Sequence, residues 1–158
     1  MRLTLADEQA TARLARLLAA SQPGPAVVYL HGGLGAGKSS LARSWLRSLG
    51  VTGPIRSPTY TLVERYAVEG GEALHLDLYR IGSGAELEFL GLDEAQTALW
   101  LVEWPGRGEG GLPPADLEIR LAIRGGGREV ELVPASRAGE SWLSALVDSG
   151  QLDAFPEP

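Results

Sequence analysis

The sequence predicts an α/β fold built on a mixed, partly antiparallel sheet. Three observations carry this. Apolar runs with strand-like patterns alternate with stretches of helical periodicity along most of the chain. A glycine-rich loop, HGGLGAGKSS at 31–40, lies between one such strand and one such helix. Toward the C-terminus two alternating runs, DLEIRLAI and REVELV, flank a GGG turn and read as an antiparallel hairpin.

The elements follow in order. Residues 7–20, DEQATARLARLLAA, place Leu14, Leu17 and Leu18 on one helical face, and QPGP at 22–25 ends that helix. AVVYLH at 26–31 is short, apolar and β-rich, the pattern of a buried strand. A second helix runs from Lys38 to Leu49 and is closed by Gly50. Residues 60–68 read as a strand, with EGGE at 69–72 turning into EALHLDLY, where Leu74, Leu76 and Leu78 alternate. AELEFLGL is a short helical patch, and ALWLVEW at 98–104 is a second apolar strand that runs into the loop PGRGEGGLPP. After the hairpin a last helix spans 139–147. Residues 1–150 form one domain, and 151–158 are expected to be a frayed tail.

Composition narrows the function. The 158 residues are 44% apolar and 22% charged, ordinary for a globular protein. No apolar run reaches the roughly 18 residues of a membrane span, so no membrane association is expected. The N-terminal stretch does not read as a secretory signal, which makes the cytoplasm the expected location. Cysteine is absent, excluding disulfides and thiolate chemistry. A net charge of −6 argues against gripping DNA through an overall field.

Gly32 to Ser39 satisfies G-x-x-x-x-G-K-[ST] in full, between a strand and a helix as the motif requires. The backbone of Gly33, Leu34, Gly35, Ala36 and Gly37 can curl its N–H groups onto phosphate oxygens, with Ser40 in the first helical turn behind them. Lys38 is expected to reach the β- and γ-phosphates, and Ser39 to ligate Mg²⁺. The fold is therefore read as a P-loop NTPase-like three-layer domain. Lys38 is the only lysine among 14 basic residues. A compact ammonium fits a nest of amides that the broad guanidinium fork does not. A guanine-reading Asn/Thr-Lys-x-Asp element needs a second lysine, so ATP, with ADP as product, is the expected nucleotide.

Asp77 and Glu103 each close an apolar strand, where a parallel sheet places acids that hold Mg²⁺ or position water. A solvated strand-end carboxylate is the ordinary alternative for each. Ser57-Pro58-Thr59-Tyr60-Thr61 follows the loop helix, where switch-type hydroxyls meet a γ-phosphate, and a plain polar turn reads equally well. Trp104 either packs or stacks on a ligand.

LHGGLGAGKSS, SPTYTLVERY, LHLDLYRI, ELEFLGLDE and LVEWPGRGEGGLP, then LEIRLAI with a glycine-arginine turn, occur in an order that resembles the TsaE family. These are P-loop ATPases of bacterial tRNA threonylcarbamoyladenosine biosynthesis, and the resemblance covers about residues 5 to 135. It implies that Ser39 and Glu103 serve Mg²⁺, and that Asp77 acts near the metal and attacking water. It further implies a switch-like role for Thr59 or Thr61, a place near the base for Thr11, and a nucleotide contact for Arg128. The implied activity is slow ATP hydrolysis in support of the TsaD and TsaB subunits, with tRNA met indirectly through that complex. The family's usual loop reads G-D-L-G-A-G-K-T, so Gly33 stands here in place of an acid, and Ser39 in place of threonine. Two other readings fit a P-loop: a small kinase drawing on Arg107, Arg124 and Arg128, and a non-catalytic nucleotide-gated assembly factor.

Overall fold

A parallel core of four strands is extended on both edges by antiparallel partners. The computed structural model describes residues 1–92 and 96–158. Its strands are β1 (Arg2–Leu5), β2 (Ala26–His31), β3 (Val63–Val68), β4 (Gly71–Asp77), β5 (Thr97–Glu103), β6 (Leu117–Arg124) and β7 (Gly127–Pro134). Three α-helices accompany them: α1 (Glu8–Ser21), α2 (Lys38–Ser48) and α3 (Arg137–Asp148). The sheet order is β1-β7-β6-β2-β5-β4-β3. Pairs β2–β6, β2–β5 and β4–β5 are parallel, whereas β1–β7, β6–β7 and β3–β4 are antiparallel.

Alternation along the central strands builds a core on each face. Val28, Leu30, Leu99 and Leu101 point into one cluster with Leu14 and Leu18 of α1, Leu41 and Trp45 of α2, and Trp142 of α3. Trp45 and Trp142 meet edge to face with centroids 5.8 Å apart, and the Trp142 indole N–H donates to Ser21 Oγ at 2.9 Å. Leu74, Leu76, Trp100 and Val102 face the other way. That second face is covered by a 3₁₀ turn at Gly84–Leu90 and the loop carrying Leu112. The helices begin where the sequence caps them: Asp7 accepts from the Ala10 N–H at 2.8 Å and Ser136 from the Gly139 N–H at 3.0 Å.

Four expectations need correction. Strand β1 was not expected, because four residues carry too little periodicity to declare themselves, and its partner β7 lies over a hundred residues away. The strand expected from residue 60 starts at Val63. Residues 58–61 form a turn closed by Leu62 N–H donating to Pro58 O at 2.8 Å, with Leu62 at a φ of 68°. Trp104 lies beyond β5, its φ of 55° turning the chain out of the sheet. The C-terminal residues are docked, not frayed: Leu152 and Phe155 are buried in the helix-side core, and Thr4 N–H donates to Pro156 O at 2.6 Å. The acidic end of ELEFLGLDE, residues 93 and 94, lies outside the described residues.

Candidate functional site

Strands β2, β4 and β5 run parallel, so their C-terminal ends open onto one edge of the sheet. Asp77 ends β4 and Glu103 ends β5, and the two are register partners; Leu30 of β2 pairs with Glu103 on the other side. The loop from β2 to α2 arches over that edge. Gly32 sits at a φ of 149°, and a Cβ there would lie 2.6 Å from Leu121 O and 2.9 Å from the Ala36 Cβ. Glycine is therefore required by space as well as by backbone angle. Gly37, at a φ of 108°, is the N-cap of α2, and among the described residues no side chain caps the helix. The first-turn N–H groups are left for an anion.

A cavity of about 310 Å³ opens against this loop. It is lined by Leu34, Gly35, Ala36, Gly37, Lys38, Ser39 and Ser40 from the loop and helix, by Thr59, Asp77 and Glu103, and by Arg128. A second cavity of about 140 Å³ shares Gly37, Ser40 and Arg128 and adds Thr11. The fold thus gathers most of the sequence-derived site residues into one groove. Two stand apart. Gly33 lies outside both cavities and contributes its carbonyl, which accepts from Lys38 Nζ at 2.9 Å. Thr61 is exposed and donates to Glu64 at 3.1 Å, away from the groove.

Lys38 is 5% exposed, and its ammonium also donates to Gly32 O at 2.6 Å. Burial holds its pKa below the ordinary lysine value, while the charges of Glu103 and Asp77 pull the other way. The ammonium stands 4.6 Å from the centroid of the Trp104 ring, which in turn lies 5.0 Å from Tyr79. Trp104 packs against the apolar core and also lines the cavity.

Glu103 is 3% exposed and accepts from Ser39 Oγ at 3.1 and 3.0 Å. Asp77 accepts from the Tyr79 N–H at 3.1 Å and from Thr59 Oγ1 at 3.3 Å; the Thr59 hydroxyl also lies 2.7 Å from Ser57. A hydroxyl and two carboxylates converge as hard oxygen donors of the kind a divalent cation takes. Arg128 reaches the loop from the start of β7, donating to Ala36 O and Gly35 O, each at 3.0 Å. In this arrangement it braces the backbone of the loop.

The family model described as "Threonylcarbamoyl adenosine biosynthesis protein TsaE" matches residues 5–130. The chain belongs to the TsaE family. Among its relatives is a tRNA threonylcarbamoyladenosine biosynthesis protein TsaE of Haemophilus influenzae, 42% identical over 76% of this chain and 77% of that one. Another, of the same name from Aquifex aeolicus, is 35% identical over 75% of this chain and 84% of that one. The crystal structure of Bacillus subtilis YdiB superposes with a TM-score of 0.77 at 26% identity, covering 94% of this chain and 95% of that one.

Within this TsaE-family groove the structure adds residues that sequence reasoning passed over. Glu8 and Tyr79 line the cavity. His75 is buried behind it with Nε2 2.7 Å from Glu103 Oε2. The available signal for His75 was its place two residues before Asp77 on one strand, which puts both on the same face.

Proposed function

We propose that this chain binds ATP with Mg²⁺ and hydrolyses it slowly in support of bacterial tRNA threonylcarbamoyladenosine biosynthesis, working with the TsaD and TsaB subunits. The observation that carries the reading is the contact between Ser39 and Glu103 inside a groove formed by a phosphate-binding loop. Ser39 and Glu103 would hold the metal, with Asp77 beside them. The donor set fits Mg²⁺. It is all oxygen, and among the described residues no group of three or more His, Cys, Asp or Glu is placed to cage an ion. Mg²⁺ needs no such cage, because it arrives with nucleotide phosphates and keeps several waters. When bound, it would neutralise charge developing on the phosphate oxygens.

The chain's own residues supply the rest. Loop N–H groups and the open N-terminus of α2 would take the phosphates, and Lys38 would add a point charge. Asp77, steadied by the Tyr79 N–H and Thr59, would orient a water for attack on the γ-phosphorus, breaking the β–γ linkage to give ADP and phosphate. Thr11 and the adjoining cavity would receive the nucleoside end. The net charge of −6 suits contact with tRNA through protein partners, and a cytoplasmic location would suit work on tRNA.

The test is phosphate release by the full chain, with and without TsaB–TsaD, alongside a search for phosphorylated small acceptors. The expected result is release that rises with the partners and no acceptor product. Acceptor phosphorylation without the partners would replace this reading with a kinase.

A further inference from the structure

Glu103 is buried, and a buried carboxylate needs donors. Two side chains supply them. Ser39 Oγ lies within bonding distance of both oxygens, and His75 Nε2 lies 2.7 Å from Oε2. Oε2 is thus engaged from two sides, and Oε1, among the described residues, by Ser39 alone.

His75 itself is 2% exposed, and its other ring nitrogen, Nδ1, has no hydrogen-bond partner among the described residues. The ring therefore places its proton at Nε2, where an acceptor waits. A buried imidazole with one orphaned nitrogen is costly relative to a satisfied one, so packing alone does not account for it. Its strand neighbours Leu74 and Leu76 are fully buried and apolar. The parallel register sets His75 opposite Leu101, two residues before Glu103 and on the same face, so the ring can brace Glu103 from within the sheet.

We propose that His75 is the positioning residue for the metal-side carboxylate: its Nε2–H pins Glu103 Oε2 and leaves Oε1 turned toward the Ser39 hydroxyl for a divalent cation. This rests on the reading of Ser39 and Glu103 as the Mg²⁺ pair. His75 lines neither of the two cavities at the loop. Partners of this kind orient a ligand and are worth about 10- to 100-fold in metal affinity.

The test measures binding of a fluorescent N-methylanthraniloyl ADP to the full chain across a MgCl₂ titration, and again in excess EDTA. His75→Leu should raise the half-saturating Mg²⁺ concentration about 10- to 100-fold, with EDTA affinity within about twofold of wild type. His75→Gln, which can place an amide N–H near the Nε2 position, should stay within about threefold of wild type. Should His75→Leu fail to fold by circular dichroism, His75→Met serves as the donor-free comparison. An unchanged Mg²⁺ dependence in the donor-free variant, with Glu103→Gln losing it, overturns the proposal alone. Equal loss of affinity with and without Mg²⁺ overturns it too, as a merely structural effect. If Glu103→Gln also keeps wild-type Mg²⁺ dependence, the metal reading falls and takes this proposal with it.

Discussion

Lys38→Arg keeps the charge and changes only its shape, which makes it a sharp probe of the loop. The wild-type ammonium sits between Gly32 O at 2.6 Å, Gly33 O at 2.9 Å and the Trp104 ring at 4.6 Å. It is 5% exposed. A guanidinium brings about two more heavy atoms in a rigid plane into that space. Overfilling a packed site costs about 1–3 kcal/mol, equivalent to roughly 5- to 150-fold in an equilibrium. Nucleotide affinity should fall by that order. Hydrolysis should fall further, about 100-fold or more, since a misplaced cation no longer meets the charge developing on the γ-phosphate. Fluorescent-nucleotide binding and phosphate release with TsaB–TsaD read the two effects separately. Binding and hydrolysis both within about twofold of wild type would refute the reasoning, because the site would then be roomy enough for a fork.

Other outcomes follow from individual contacts. Thr59→Val should slow phosphate release about tenfold or more with nucleotide binding retained, whereas Thr61→Val should leave both unchanged; the reverse pattern would show that the wrong hydroxyl has been assigned. Leu152→Ala should cost about 2–5 kcal/mol in urea unfolding, because Leu152 is buried in the helix-side core, and a change near zero would restore the frayed tail. His31 is held below the ordinary histidine pKa chiefly by burial, with Glu118 opposing and Arg120 assisting. Between its folded value and the ordinary value near 6.5 the unfolded chain binds more protons, so stability falls as pH falls through that window. His31→Gln should accordingly lose less stability than wild type between about pH 7 and pH 5, and parallel losses would contradict the assignment.

The P-loop, the helices and both hairpins were legible because each is written in a local pattern of glycines, caps and periodicity. Asp77 and Glu103 were legible as strand ends. That they are neighbours was not, since it depends on β4 lying parallel to β5. The same pairing gives His75 its partner, which is why a histidine inside LHLDLY looks like any core position when read alone. Thr59 and Thr61 were indistinguishable in sequence. The turn at 58–61, ended by Leu62 in the left-handed region, sends one to Asp77 and the other to Glu64. Arg128 was expected at the nucleotide. Its bonds to the carbonyls of Gly35 and Ala36 depend on the β6–β7 hairpin standing over the loop, a distance of about ninety residues in sequence.

The most direct test of the whole account is repeated turnover of tRNA threonylcarbamoyladenosine formation with TsaB, TsaD and ATP. Wild type is set against Glu103→Ala, with nucleotide binding measured in parallel. Glu103→Ala is expected to bind nucleotide still, to release little phosphate and to fail to sustain turnover. Wild-type turnover by a variant that cannot hydrolyse ATP would contradict it and leave the chain a nucleotide-gated assembly factor.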